Sequence, residues 1–419
     1  MTGLLPDCAT LGRLGSDAIT EAEALVTRRD RSLFDYDFTA QYGHIVDALH
    51  SRRVLVIGGG GSIGAATTAL LAEFRPAALH IVDQSENYLA ELVRDLRGRP
   101  EGLPEIEFRT LPIDYGGPIM QRVLADSSPY DAVFNFAALK HVRSEKDVYS
   151  LLQMIDTNVI RHCYFKEQLA RYGHGRMYFA VSTDKAANPT SLMGASKRLM
   201  EDVVFGIGLD RATSTTSARF ANVAFSNGSL LQSFVRRIER RQPIAVPRDT
   251  YRYFISHREA AELCVLAAFA IPDQHVAFPK LDPGNELQPL AEIAARILGS
   301  MGFTPEFLED EHRARREVAD FAARGRWPVV LTPLDTSGEK PYEEFLGEEE
   351  EETDLGFAAV SALRHRPSRA IESGLLDRLC LMIKDPAYDI GKAEIVEEIG
   401  RVLPGFRHAE TGRNLDQRL

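Results

Sequence analysis

The residues 58–64, Gly58-Gly59-Gly60-Gly61-Ser62-Ile63-Gly64, stand between an apolar run at 53–57 and an alanine-rich helical pattern that continues to about residue 74. Gly58, Gly61 and Gly64 have the spacing GxxGxxG. At a strand-to-helix junction such glycines permit a tight turn, close approach of backbone to a pyrophosphate, and close packing of helix on strand. The helix N-terminus, with Ser62 and Ile63 in its first turn, offers free N–H groups and a partial positive charge to the phosphates. Asp83 ends the next apolar run, 19 residues beyond Gly64, where a carboxylate takes the ribose hydroxyls of an adenosine and repels a 2′-phosphate. The expected cofactor is NAD, with NADP as the alternative. Asp114, in Leu111-Pro112-Ile113-Asp114-Tyr115 after the expected third strand, is placed to reach the adenine.

The elements that must position these residues follow from the hydrophobic pattern. Short apolar runs at 53–57, 78–82, 132–138, 177–181 and 218–223 alternate with helical patterns. That alternation predicts βαβ units and an α/β fold built on a doubly wound parallel sheet. Residues 1–50 read as a helical segment, 51–225 as the dinucleotide-binding Rossmann domain, 226–355 as a smaller mixed substrate-binding region and 356–419 as a helical C-terminal extension. The five glutamates at 348–352 read as a solvated surface segment.

Composition excludes several classes. The chain is 44% hydrophobic and 26% charged, as in ordinary globular proteins. Its 49 Lys+Arg against 60 Asp+Glu leave a net charge of −11, which argues against nucleic-acid binding. Cys8, Cys163, Cys264 and Cys380 show no CxxC spacing, so neither a zinc site nor a disulfide framework is expected. No run of about 18 apolar residues is present, so no membrane span is expected and the predicted location is the cytoplasm.

At Ser182-Thr183-Asp184-Lys185-Ala186-Ala187-Asn188-Pro189, continuing to Met193-Gly194-Ala195-Ser196-Lys197-Arg198, the sequence resembles extended short-chain dehydrogenase/reductases. The resemblance is specifically to the nucleotide-sugar 4,6-dehydratases of capsule and flagellin-glycan pathways. It extends over about residues 45–350 through the glycine loop, Ala137-Ala138-Leu139-Lys140-His141, Thr157-Asn158-Val159, Arg219-Phe220-Ala221-Asn222-Val223, Tyr251-Arg252-Tyr253-Phe254 and Gly338-Glu339-Lys340-Pro341-Tyr342-Glu343-Glu344.

The resemblance implies a UDP-hexose substrate, most simply one like UDP-N-acetylglucosamine; a homo-oligomer is expected on general grounds, with the C-terminal extension as its candidate self-association element. Thr183 would hold the C4 oxygen, Asp184 would be the acid at C6 with a raised pKa, and Lys185 the base at C5 with a pKa lowered by burial. Lys197 would hold the nicotinamide ribose, Asn158 would brace the lysine, and Ala137 and Ala138 would line the cofactor. Lys140, His141, Met193, Asn222 and Arg252 would face the substrate, Arg252 through its phosphates. Two positions depart from the family pattern. Met193 stands where a tyrosine completes YxxxK, and a thioether cannot serve as acid or base. Thr336 stands where an arginine commonly forms a second phosphate clamp. An epimerase, a C4 dehydrogenase and a non-catalytic NAD-binding protein are the alternatives on the same fold.

Overall fold

The computed structural model describes residues 20–141, 145–206, 213–334, 338, 340–366, 374–388, 390–403, 405–408 and 410. Cys8 and Thr336 lie outside the described residues.

The apolar runs at 53–57, 78–82, 132–138 and 177–181 supply the strands β1 (Arg53–Ile57), β2 (Ala78–Asp83), β4 (Ala132–Asn135) and β5 (Met177–Val181), and the more polar segments β3 (Glu107–Pro112) and β6 (Ser214–Ala218) pair beside them. Three later strands join them: β7 (His275–Pro279), β8 (Glu352–Thr353) and β9 (Val360–Arg364). Together they make one nine-stranded sheet of order β8-β9-β7-β6-β5-β4-β1-β2-β3. The strands β1 to β7 run parallel, and β9 and then β8 add antiparallel at one edge. The sheet is doubly wound as expected, with the order reversing between β1 and β4. That reversal opens a crevice at the carboxyl ends of the strands, where open α/β sheets bind ligands.

Burial on both faces explains why the central strands are continuously apolar. On one face the helices Asp35–Leu49, Ser62–Glu73 and His257–Phe269 pack in a core with Phe34, Leu70, Phe134 and Phe179. On the other face, Tyr115, Leu124, Phe165, Tyr178 and Met200 form a second cluster. A smaller unit holds the parallel strands Ile244–Pro247, Arg326–Thr332 and Thr304–Leu308, with the helices Leu230–Glu239 and Leu290–Ser300 contributing to its core.

The structure corrects three sequence expectations. The run at 218–223 is not one strand: β6 ends at Ala218, and Asn222–Val223 pairs separately with Phe254–Ile255. The chain beyond 356 is not helical throughout, because Val360–Arg364 buries its first four residues as β9 before the helices Leu375–Lys384 and Lys392–Val402 begin. The acidic run is not simply solvated. Glu350 pairs with Arg198 and Arg219, and Glu352 accepts a hydrogen bond from Ser361. The buried residues of the two C-terminal helices, including Leu379, Met382, Ile395 and Ile399, share an apolar cluster with Leu151, Met154, Leu192 and Leu199 of the same chain. Among the described residues, no helix is long and apolar enough to cross a membrane.

Candidate active site

The glycine loop leaves β1 through Gly58, whose φ of +71° belongs to the left-handed region. A Cβ at Gly58 would stand 2.7 Å from the Ala137 nitrogen, and one at Gly64 would stand 2.3 Å from the Gly58 oxygen. Gly59 and Gly60, outside the predicted spacing, are equally confined, by Ile81 and by Tyr88 with Asp83. Gly61 differs, since its added Cβ would meet protein only at 3.5 Å. It is also the N-cap of the Ser62–Glu73 helix and provides no side-chain cap. The result is a helix N-terminus approached through a crowded turn with room at Gly61, which suits a pyrophosphate group.

The neighbouring residues complete this cradle. Asp83 accepts from the Gly60 N–H through one oxygen and from the Ser85 N–H through the other, both at 2.9 Å. It therefore braces the glycine turn while remaining at the end of β2. Ser62 Oγ accepts from the Asn227 N–H at 2.7 Å, and Ile63 packs on the core. Asp114 is held by Arg161, which reaches both its oxygens at 2.6 Å, and by the Gly116 N–H. Burial pushes the Asp114 carboxyl up, but the Gly116 bond and the Arg161 charge outweigh this and hold it below the usual range. Ala137 donates its N–H to Asn135 at the end of β4, and Ala138 is half-buried beside it.

Thr183, Asp184 and Lys185 leave the carboxyl end of β5 together, Asp184–Ala186 forming a single 3₁₀ turn. The Thr183 hydroxyl donates to Asp184 Oδ1 at 2.8 Å, and the Lys185 N–H and Nζ reach the same oxygen at 2.9 Å each. Lys185 Nζ also stands 3.7 Å from Glu343 Oε1. Burial pushes the Lys185 ammonium down, but Asp184 and Glu343 outweigh it and hold the pKa above the ordinary lysine value. The expected lowering is thus reversed. Burial alone disfavours the charge, whereas two carboxylates within 4 Å favour it.

Lys197 behaves as burial demands. Its Nζ donates to the Val181 carbonyl at 2.5 Å, and desolvation brings its pKa down to about 8. Asn158 lies in the π-helical turn Asp156–Ile160, and among the described residues its side-chain hydrogen bonds go to neither lysine. Its amide donates to the Leu139 carbonyl and to Ser196 Oγ, and its oxygen accepts from the Leu139 N–H. It thereby ties the Lys140 loop to the helix that carries Lys197. A π-turn at such a junction is a common feature of functional sites.

Met193 is only 3% exposed, and its side chain belongs to the cluster of Leu151, Met154 and Leu192. Its N–H donates to Glu145, a buried carboxyl whose other oxygen has no hydrogen-bond partner among the described residues and whose pKa burial raises. Lys140 is exposed, and the His141 ring lies against Gly228, where a Cβ would stand 2.8 Å from it. Asn222 donates to the Tyr253 carbonyl at 3.2 Å, next to Arg252. Arg252 itself donates to the carbonyls of Tyr251, Pro341 and Lys340. It fixes the loop that brings Glu343 to Lys185.

Glu343 is the main residue without an assigned role in the sequence. The signal was its place in the Gly338-to-Glu344 motif. Burial pushes its carboxyl above the ordinary glutamate range. Beneath the site, Ser182 Oγ donates to Glu201, which forms a buried pair with Arg219 and through it reaches Glu350. This pairing fastens β5 and β6 to the segment preceding β8.

A family model described as polysaccharide biosynthesis protein matches residues 54–364. The chain is 30% identical over 311 residues to the capsular polysaccharide biosynthesis protein CapD of Staphylococcus aureus, covering 72% of this chain and 46% of CapD. It is 26% identical over 323 residues to the "Probable polysaccharide biosynthesis protein EpsC" of Bacillus subtilis, covering 77% of this chain and 49% of EpsC. The chain thus spans about half the length of these two relatives. Pen from Bacillus thuringiensis shares the fold with a TM-score of 0.60 at 21% identity, over 75% of this chain and 87% of Pen. DesIV from Streptomyces venezuelae, a dTDP-glucose 4,6-dehydratase solved with NAD and TYD bound, does so with a TM-score of 0.53 at 18% identity, over 80% and 97%. The matched span takes in the glycine cradle, the Thr183-Asp184-Lys185 turn and the loop of Glu343, and the chain belongs to the polysaccharide biosynthesis protein family.

Proposed function

We propose that this chain dehydrates a nucleotide-activated hexose, a sugar like UDP-N-acetylglucosamine, to its 4-keto-6-deoxy form with NAD as a cofactor that ends the cycle oxidised. The observation that carries this is the hydroxyl, carboxyl and amine of Thr183, Asp184 and Lys185 gathered on one carboxylate oxygen at the end of β5. The crevice beside the glycine cradle is where they lie in the fold. Family membership supports a role in polysaccharide building, and the fold shared with an NAD-bound 4,6-dehydratase supports the cofactor and the reaction class.

The cradle residues fit a dinucleotide: Gly61 leaves room at an uncapped helix N-terminus, and Asp83 lies at the end of β2. Asp83 favours NAD over NADP through its charge. A nicotinamide bound there would supply reversible hydride-accepting chemistry beside the sugar. Lys197 would hold the adjoining ribose.

The chain's own residues manage the protons. Thr183 holds the C4 oxygen, and its hydroxyl already donates to Asp184, so the C4 proton passes to Asp184 with no tyrosine at position 193. The resulting ketone acidifies C5. Lys185, as a neutral amine, takes the C5 proton while the C5–H electron pair forms the C5=C6 bond. Asp184 gives its proton to the departing C6 hydroxyl, which leaves as water. Lys185 returns a proton to C5 as C6 is reduced. Arg252, Asn222, Lys140 and His141 are the candidates to hold the diphosphate and sugar.

The test is mass spectrometry of UDP-sugars incubated with the protein and catalytic NAD+. Loss of one water from a UDP-hexose is the expected result. An isomer of unchanged mass would mean an epimerase, and stoichiometric NADH a dehydrogenase.

A further inference from the structure

We propose that Glu343 is a working part of this site, a positioning residue that holds the Lys185 ammonium and receives its proton when Lys185 must act as a base. The inference rests on the dehydration reading above and deepens it.

Geometry supports it first. One oxygen of Glu343, Oε1, stands 3.7 Å from Lys185 Nζ and 3.9 Å from Arg252 Nη2. The side chain is 6% exposed. Its loop comes from more than 150 residues downstream and is pinned on both sides. Arg252 donates to the Lys340 and Pro341 carbonyls at 3.0 Å, and the Tyr251 N–H donates to Pro341 at 2.8 Å. Lys340 Nζ donates to the Asn188 carbonyl at 2.5 Å, and Asn188 donates to Glu344 at 3.0 Å. So many anchors deliver to Lys185 a second carboxylate besides Asp184.

Chemistry supplies the need. An ammonium cannot accept a proton, and Lys185 is held as an ammonium by its two carboxylates. Asp184 Oδ1 already receives three donors, and the reading above commits that carboxyl to the C4 and C6 oxygens. Glu343 is opposed in its charged form by burial and faces Lys185, Asp184, Arg252 and Lys340. The ammonium proton passes to Glu343, leaving a neutral amine and a carboxylic acid. The amine takes the C5 proton of the 4-keto sugar. After that proton has gone back to C5, Glu343 returns its own to the amine. No net proton is gained or lost by the pair.

Two measurements test this on the full chain with Glu343→Gln and Glu343→Asp. The first is the pH profile of Lys185 acylation by acetic anhydride, followed by peptide mass mapping. It needs neither cofactor nor substrate. Wild type should show a midpoint above that of ordinary lysine, and Glu343→Gln should lower it. The second is turnover, where Glu343→Gln should lose at least ~10-fold in kcat with KM little changed, and Glu343→Asp should recover part of the loss. If Glu343→Gln does not fold, an acylation midpoint in Glu343→Asp identical to wild type counts against the proposal. Unmoved acylation together with wild-type kcat in Glu343→Gln overturns it. Failure of wild type to release water from any UDP-sugar would instead overturn the dehydration reading, and the acylation profile would still report on the pair.

Discussion

Two groups of buried charge lie on either side of the Ser182–Thr183 peptide, and they are built differently. Below it, Arg219 grips Glu201 through two bonds of 2.9 and 2.7 Å and also reaches Glu350, with Arg219 and Glu201 wholly buried. Above it, Lys185 has one close partner, Asp184 at 2.9 Å, and a second carboxylate at 3.7 Å that it shares with Arg252. A guanidinium fork on two carboxylates is geometrically closed and keeps its protons. An amine between unequal carboxylates, one close and one stretched, is the arrangement in which a proton can change places. The lower group holds the strands together, and the upper one is assigned the chemistry.

The largest effect should come from breaking the upper group. Lys185→Ala should lower turnover by about 10²–10⁴-fold, as the loss of a positioned proton-transfer group does. Its melting temperature should fall less than that of a lower-group variant, because Lys185 is a quarter exposed whereas Arg219 is wholly buried. Breaking the lower group should do the reverse. Arg219→Ala leaves Glu201 and Glu350 buried without their main partner, and urea unfolding should show a loss of about 3–5 kcal/mol.

The two groups should also respond oppositely to pH. Burial pushes Glu201 up, but Arg219 outweighs it and the folded carboxyl titrates below the unfolded one. Its stabilisation is present above the ordinary glutamate value of about 4.3 and is lost as pH falls through the lower folded value. Glu343 titrates above its ordinary value, so its contribution is present in acid and is lost as pH rises through the folded value. Urea unfolding against pH should therefore show Glu343→Gln altering the slope above the ordinary glutamate range and Glu201→Gln altering it below. The smallest effect belongs to a residue in neither group. Met193→Leu exchanges side chains of similar volume in an apolar cluster, so it should cost less than about 1.5 kcal/mol and leave kcat unchanged.

The same contrast explains how far the sequence could be read. The glycine turn and Asp83 at the end of β2 are local, set by a strand ending beside a helix or tight turn, and hydrophobic periodicity locates such junctions, whereas Thr183, Asp184 and Lys185 stand out only through the family resemblance of their motif. Gly59 and Gly60 escaped because their confinement comes from Ile81, Asp83 and Tyr88 of the next βα unit. Glu343 and Glu350 reach their partners across 158 and 131 residues, and no local pattern announces a contact of that range. The direction of the Lys185 shift was missed for the same reason. Its burial was foreseeable, but the second carboxylate that reverses the effect of burial was not. The strand Val360–Arg364 is not distinguished from helix in the sequence because so short a mostly apolar stretch has no distinctive period.

In the proposed dehydration, hydrogen leaves C4 and is set down on C6 of the same sugar while water departs. Incubating the full chain with catalytic NAD+ and UDP-N-acetylglucosamine deuterated at C4, then locating the label in the product by NMR, tests it directly. The account predicts deuterium at C6 of a product that has lost one water. Deuterium still at C4, or found instead in accumulated reduced cofactor, would contradict it.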